Sequence, residues 1–318
     1  MTIRRISVVL LLASLAMPLA VLAQKEASNT FKGIKRIRMS TGSGDVNIEK
    51  SNDANVSVQV TYTYDPNNYE PKMEQVGDRL EIQEVFKSKN SGRGESQWSL
   101  KIPDGLGVRF TTGSGNINIS DLQIELTAVT GSGDITFSNL TGEIKSTTGS
   151  GDIELNRVKG ELQATTGSGS ITADSSSGEM SLTCGSGNIR LDNSQAAFKV
   201  ATGSGDIRGR QIATTGASSF ATGSGDATLA LSASPAADLS VASGSGDAEV
   251  DFGGNVIQGE IIMKANKHNG DIVAPFEFDN VEEIEMGDDT VIKKTVVRGS
   301  ADKRISISTG SGSAVLRQ

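Results

Sequence analysis

Ten Gly-Ser-Gly triplets run through this chain, and the residue after each triplet is the one best equipped for chemistry. These residues are Asp45, Asn116, Asp134, Asp152, Ser170, Asn188, Asp206, Asp226, Asp247 and Ser313. Two kinds of chemistry suit such a set. Stacked carboxylates can coordinate Ca²⁺, a hard cation that takes oxygen ligands. Alternatively, each side chain can accept a hydrogen bond from a backbone N–H group in a turn, an ability that Asp, Asn and Ser share. The Ca²⁺-binding nonapeptide rolls repeat a Gly-Gly-x-Gly-x-Asp loop every nine residues. Here one glycine-rich corner recurs every 18 residues and the doubled glycine is missing. Asn116, Ser170 and Asn188 interrupt the acids, as expected where an acceptor suffices. Turn capping is therefore the expected role and no metal ligand is assigned. Asp206, Asp226 and Asp247 are consecutive acids, and there alone the crowding of like charge favours a cation.

No other residues assemble into a catalytic set. The chain holds one histidine, His268, one tryptophan, Trp98, and one cysteine, Cys184. Neither a Ser/His/Asp triad nor a metal-ligand set can be built from them. A lyase or glycoside hydrolase on a β-helix needs clustered carboxylates or a basic residue beside a groove walled by long loops. The repeats here are short and uniform, and aromatics make up only 4% of residues. The expectation is no catalytic residue and no cofactor, with a carbohydrate-active enzyme as the alternative. Cys184 stands in a column otherwise held by Thr112, Thr130, Thr148, Thr166, Thr202 and Thr222, so it is expected to be buried and structural. His268 falls in the degenerate repeat His268-Asn269-Gly270-Asp271-Ile272 and is expected at the surface. The pairs Thr111-Thr112, Thr147-Thr148 and Thr165-Thr166 suggest a flat threonine array of the ice-binding type. Val129, Ala201 and Ala221 break that array, and threonine ladders also stabilise sheets generally.

The elements that must position these residues follow from the period. From Gly113 to Gly203 the triplets recur every 18 residues, and the next two steps are 20 and 21. A period this short predicts stacked coils of one solenoid. Counting the first glycine as position 1, position 5 holds Ile117, Ile135, Ile153, Ile171, Ile189 and Ile207. Position 7 holds Ile119, Phe137, Leu155, Ala173 and Leu191, with Gly209 as the exception. Polar residues alternate with them, which reads as a half-buried strand. A second alternating run precedes each triplet, as in Leu126 and Ala128 or Leu162 and Ala164. Position 10 adds Leu122, Leu140 or Val158, and Gly142, Gly160 and Gly178 mark a further turn. Each coil is thus two or three short strands. Stacking in parallel gives about 4.8 Å per coil, and the crossover rule predicts a right-handed winding.

The regular array spans 113–247. The segments 32–112 and 248–318 are longer and irregular, and are expected to be strand-rich end caps that protect exposed sheet edges. Residues 24–31 read as a short linker. Residues 1–23 have a basic start at Arg4 and Arg5, an apolar stretch and the small-residue site Val21-Leu22-Ala23, the layout of a signal peptide. Its removal takes the formal charge from −8 to −10. Such an acidic balance disfavours nucleic acid as a partner. No later stretch is apolar for long enough to span a bilayer as a helix.

Ile102-Pro103-Asp104-Gly105, a strand to Phe110 and then repeated Thr-Gly-Ser-Gly-Asp-Ile resemble the bacterial "putative adhesin" family with β-strand repeats. That is a domain of unknown function similar to the head domain of autotransporter adhesins. The likeness covers Lys32 to Gln318. It implies a parallel β-helix-like solenoid and no catalytic residues. Val315-Leu316-Arg317-Gln318 comes two residues after the last triplet, so no translocator barrel is expected in this chain. The expectation is an exported, periplasmic or cell-surface protein without catalysis that binds an envelope or surface polysaccharide or protein, or serves as scaffolding.

Overall fold

The computed structural model describes residues 24–88, 94–287 and 289–318. The expected signal peptide lies outside these residues. Among them there is no helix, and 29 strands form one all-β solenoid. Each regular coil supplies a four-residue strand, such as Ile135–Ser138, and an eight-residue strand, such as Thr141–Thr148. The short strands of successive coils pair in parallel to make one sheet, and the long strands make the facing sheet.

The register is one whole coil, so like residues stack on like. Ile117, Ile135, Ile153, Ile171 and Ile189 pair in unbroken succession on the short-strand sheet, all fully buried. Leu126, Ile144, Leu162, Met180 and Phe198 form the opposing stack on the long-strand sheet. Each such side chain contributes about 1.5–3 kcal/mol on burial. One coil alone could not bury its apolar edge; its two neighbours supply the cover.

The corners explain the glycines. A Cβ on Gly133 would collide with the carbonyl oxygen of Gly115 in the coil before, and one on Gly131 with that of Gly113. Close stacking of backbones therefore demands glycine there, and none of the triplet glycines has a positive φ. The left-handed residues sit at the second corner instead. They are Asp121, Asn139, Arg157, Ser175, Asn193 and Gln211, with φ between 50° and 61°. Asp, Asn and Ser tolerate this conformation because a short polar side chain can bond locally.

At both ends the order in space departs from the order in sequence. The first coil, Arg36–Thr41 and Asp45–Lys50, pairs on its inner side with Leu106–Thr112 and Ile117–Ser120. On its outer side it pairs with Arg79–Phe86 and Ser96–Ile102, which come later in the chain. The last coil, Arg304–Thr309 and Ala314–Arg317, likewise lies between Leu239–Ser243 with Ala248–Asp251 and the outer strands Gly259–Asn266 with Ile272–Val273. The degenerate repeat at His268 is thus a true outer coil.

Beyond these coils the pairing turns antiparallel. Tyr69–Val76 closes one sheet at the first end, with Val56–Tyr62 and Lys25–Phe31 closing the other. Asp289–Arg298 and Asn280–Met286 close the long-strand sheet at the far end. Two of the outermost strands carry edge protection: Pro71 in Tyr69–Val76, and Glu282, Glu283 and Glu285 in Asn280–Met286. One expectation needs correction. Residues 25–31 are a paired strand rather than a linker, because Val56–Tyr62 offers them an open edge. Phe276 lies in a bend between strands, where its ring packs against Phe278 and the Arg298 guanidinium.

Candidate functional site

The residues after the triplets form one column along a corner of the solenoid. Asp134 N–H donates to Asn116 Oδ1 at 2.9 Å, Asp152 N–H to Asp134 Oδ1 at 2.8 Å, and Ser170 N–H to Asp152 Oδ1 at 2.7 Å. The suspected acids behave in the same way. Asp206 Oδ1 accepts from Asp226 N–H at 3.0 Å, Asp226 Oδ1 from Asp247 N–H at 2.9 Å, and Asp247 Oδ1 from Ser313 N–H at 2.7 Å. Each Asp or Asn of the column with a following coil therefore caps the backbone of that coil, across the stack rather than within its own turn. One oxygen of each acid is spent on an N–H group, and Arg208 Nη2 takes Asp206 Oδ2 at 2.9 Å. Such bonds relieve like charges without a cation. Among the described residues no group of three or more His, Cys, Asp or Glu is placed to hold a metal ion.

The threonine column is the inner face of the same corner. Thr148 Oγ1 donates to the Gly133 carbonyl of the preceding coil at 3.0 Å and accepts from its own Gly151 N–H at 3.1 Å. These hydroxyls are buried and satisfy backbone groups that the tight corner leaves without ladder partners. Cys184 makes the same two contacts, with the Gly169 carbonyl and Gly187 N–H, and is 2% exposed. It is a hydroxyl substitute. At the first end of the column Glu84 ends the ladder: its carboxylate accepts from Gly42 N–H at 2.7 Å, Tyr69 Oη at 3.0 Å, Trp98 Nε1 at 3.2 Å and Ser96 Oγ. Burial, with the Glu84 carboxylate beside it, pushes the Tyr69 phenol well above its usual range. Trp98 is thereby assigned to the cap, while His268 is exposed, with its backbone N–H on Asn266 Oδ1 at 2.8 Å.

A groove runs along the outside of the long-strand sheet. Two hollows, of about 450 and 380 Å³, share Phe198, Lys199 and Ala217 and so form one groove. The repeat pattern explains why it lies there. The outward column reads Glu125, Glu143, Glu161, Glu179 and then Ala197, so the surface drops by a long side chain at that coil. Glu161, Gln163, Glu179 and Ser181 line one half; Ser219, Asp238, Ser240, Arg304 and Ser306 line the other. Asp238 Oδ1 accepts from Arg304 N–H at 2.7 Å, and Arg304 Nε donates to Glu260 Oε2 at 2.9 Å. Acid and base at that end are thus held by structural partners. Glu161 and Glu179 are exposed at the edge of the groove. Sequence reasoning missed this groove. The signal was the change from Glu to Ala at a fixed offset from the triplet.

A family model described as Toastrack DUF4097 matches residues 34–260. No curated protein matches the chain. Similar solved structures include a "putative lipid binding protein" from Parabacteroides distasonis, 16% identical, covering 93% of this chain and 96% of that one with a TM-score of 0.46. Another is a "putative adhesin" from Bacteroides fragilis, 16% identical, covering 70% and 93% with a TM-score of 0.37. A "putative cell adhesion protein" from Clostridium sporogenes is 13% identical over 93% and 100%, with a TM-score of 0.25.

Proposed function

The chain belongs to the Toastrack DUF4097 family, and from that premise we infer that it is a non-catalytic, exported binding or scaffolding protein of the cell envelope or surface. The observation that carries this reading is the groove over the long-strand sheet. It is open along its length and offers hydroxyls in Ser181, Ser219 and Ser240 and charges of both signs in Lys199, Glu161 and Glu179. Among the described residues no long loop walls it, so it suits an extended polymer lying along the coils better than a small molecule enclosed for reaction. An envelope polysaccharide is the partner best matched to a row of hydroxyls and amides with little aromatic surface. Export rests on the basic-then-apolar start of the sequence.

Binding of purified envelope polysaccharides to the protein, measured by microarray and calorimetry, tests the reading. Ser240→Tyr and Lys199→Glu should each abolish binding by filling the groove or reversing its charge, while melting stays unchanged. Polysaccharide binding indifferent to both changes would remove the groove from consideration. Steady turnover of a polysaccharide, lost in Glu161→Gln and Glu179→Gln, would replace the reading with the carbohydrate-active one. Fractionation with protease shaving of intact cells separates periplasm from outer surface; retention in the cytoplasm contradicts export.

A further inference from the structure

The one place where the regular array loses its register also gathers its arginines. Between Gly203 and Gly223 the triplet interval grows from 18 to 20 residues, and the pairing of Ile207–Thr214 shifts between Gly209 and Ile212. Gly209 stands where other coils bury an aliphatic side chain. A Cβ there would lie 2.7 Å from Leu229 Cδ2 and 2.9 Å from Ile212 Cγ1, so those two residues have taken its room. A bulge of this kind re-aims the side chains beside it. Here they are Arg208 and Arg210, two apart and both exposed. Arg190 on the neighbouring strand pairs in register with Arg208, and Asp192 with Arg210.

A hollow of about 210 Å³ opens among Asn188, Arg190, Asp206, Arg208 and Arg210 on the outside of the short-strand sheet. Its side-chain acceptors are already engaged. Asn188 Oδ1 accepts from Asp206 N–H at 2.8 Å, Asp206 Oδ1 from Asp226 N–H at 3.0 Å, and Asp206 Oδ2 from Arg208 Nη2 at 2.9 Å. The donors are not. Asn188 keeps its Nδ2 group, Arg190 spends only Nε, on Asp192 at 2.5 Å, and Arg210 makes no ion pair among the described residues. Three guanidiniums face the two carboxylates Asp206 and Asp192, a local positive excess on a chain of net charge −8.

We propose that Asn188, Arg190, Arg208 and Arg210 form a binding site for a single tetrahedral oxyanion, a sulfate or phosphate ester. A pocket whose free groups are all donors selects a ligand that is all acceptors, and guanidinium forks bind such oxygens through charge-assisted pairs. The flanking residues in register, Thr172 and Thr228, are uncharged, so the donors serve one group rather than a long polyanion. The site lies on the sheet opposite the groove and stands whether or not the groove binds polysaccharide.

Titration of the protein with inorganic sulfate and with inorganic phosphate, at low salt and followed by calorimetry, tests it. One saturable site is expected, weakened about tenfold or more in Arg210→Ala and partly restored in Arg210→Lys. Arg157→Ala serves as the control: that guanidinium is held by Asn139 and Asn156 at another corner, and its loss should leave binding as it was. Unaltered melting shows that the variants fold. Displacement of bound sulfate by glycerol phosphate would point to a headgroup-like phosphate, and displacement by a sulfated disaccharide to a glycan sulfate. No saturation in the unmodified protein, or equal affinity in Arg210→Ala, overturns the proposal.

Discussion

A single hydrogen-bond acceptor per coil explains why Asp and Asn interchange after the triplets. What the next coil requires is an oxygen for its N–H group, and charge is incidental to that task. Asp226→Asn should therefore be tolerated, whereas Asp226→Ala strands the Asp247 N–H and should cost about 1 kcal/mol in a urea melt. The melting temperature of the unmodified protein should not move with Ca²⁺ or a chelator. A Ca²⁺-dependent rise abolished by Asp226→Asn would turn this corner into a metal site. Asp104 supplies a second test at this scale. Its carboxylate accepts from Gln123 N–H at 2.9 Å and from Lys50, and these bonds, the backbone one foremost, hold it below the usual carboxylate range. A lowered folded-state value means that Asp104 stabilises the fold above the ordinary carboxylate range, and that this contribution disappears as pH falls through the lowered value. The group is exposed, so the effect is small. Melting followed against pH should show a shallower acid decline in Asp104→Asn than in the unmodified protein.

Strand and corner have different tolerances because they pack differently. Along a strand, inward and outward residues alternate, so adjacent positions should respond oppositely. Ile153 is fully buried and paired with Ile135 and Ile171. Ile153→Asp places an unpaired charge among them and should cost about 3–5 kcal/mol. Glu154→Ala, on the outer face, should change stability by about 0.5 kcal/mol or less. Equal effects in denaturant melts would contradict the register. At the corner the limiting contact is backbone on backbone. Gly133→Ala pushes a methyl group into the Gly115 carbonyl, which no rotamer can relieve, and should cost about 1–3 kcal/mol. Ser132→Ala, one residue away and exposed, should be neutral in the same melt.

For the molecule as a whole, the intercalated terminal coils set how stability is distributed. In a simple solenoid the ends fray first because each end coil has one neighbour. Here the first and last coils each have two, and later or earlier segments of the chain serve as the outer neighbour. Removing residues 303–318 would take out the layer between Leu239–Ser243 and Gly259–Asn266, so the outer coil and its hairpin would lose their attachment together. We expect this truncation to aggregate or to lower the melting temperature by well over what replacing hairpin residues 280–298 with a short linker does. Light scattering and circular dichroism on the two shortened proteins compare them directly; a milder effect from losing the terminal coil would contradict the intercalated order.

Much of this was legible in the residues alone. An 18-residue period with isoleucine at one position and glycine at two others leaves parallel stacking as the way to bury the isoleucines, so coil, register and the buried column including Cys184 followed from local pattern. The triplets at Gly42 and Gly310 carried the same consensus, which marked their coils as members of the stack. Where those coils sit was decided only in the tertiary structure. Pairing across 71 residues, from Gly42 to Gly113, depends on which distant strands compete for each edge, and no local pattern records that competition. The same holds for the direction of the Asp caps, since a turn and a neighbouring coil offer identical N–H groups. The groove and the arginine pocket arise from side-chain length differences between adjacent coils and from one bulge, features of the assembled surface that a repeat average conceals.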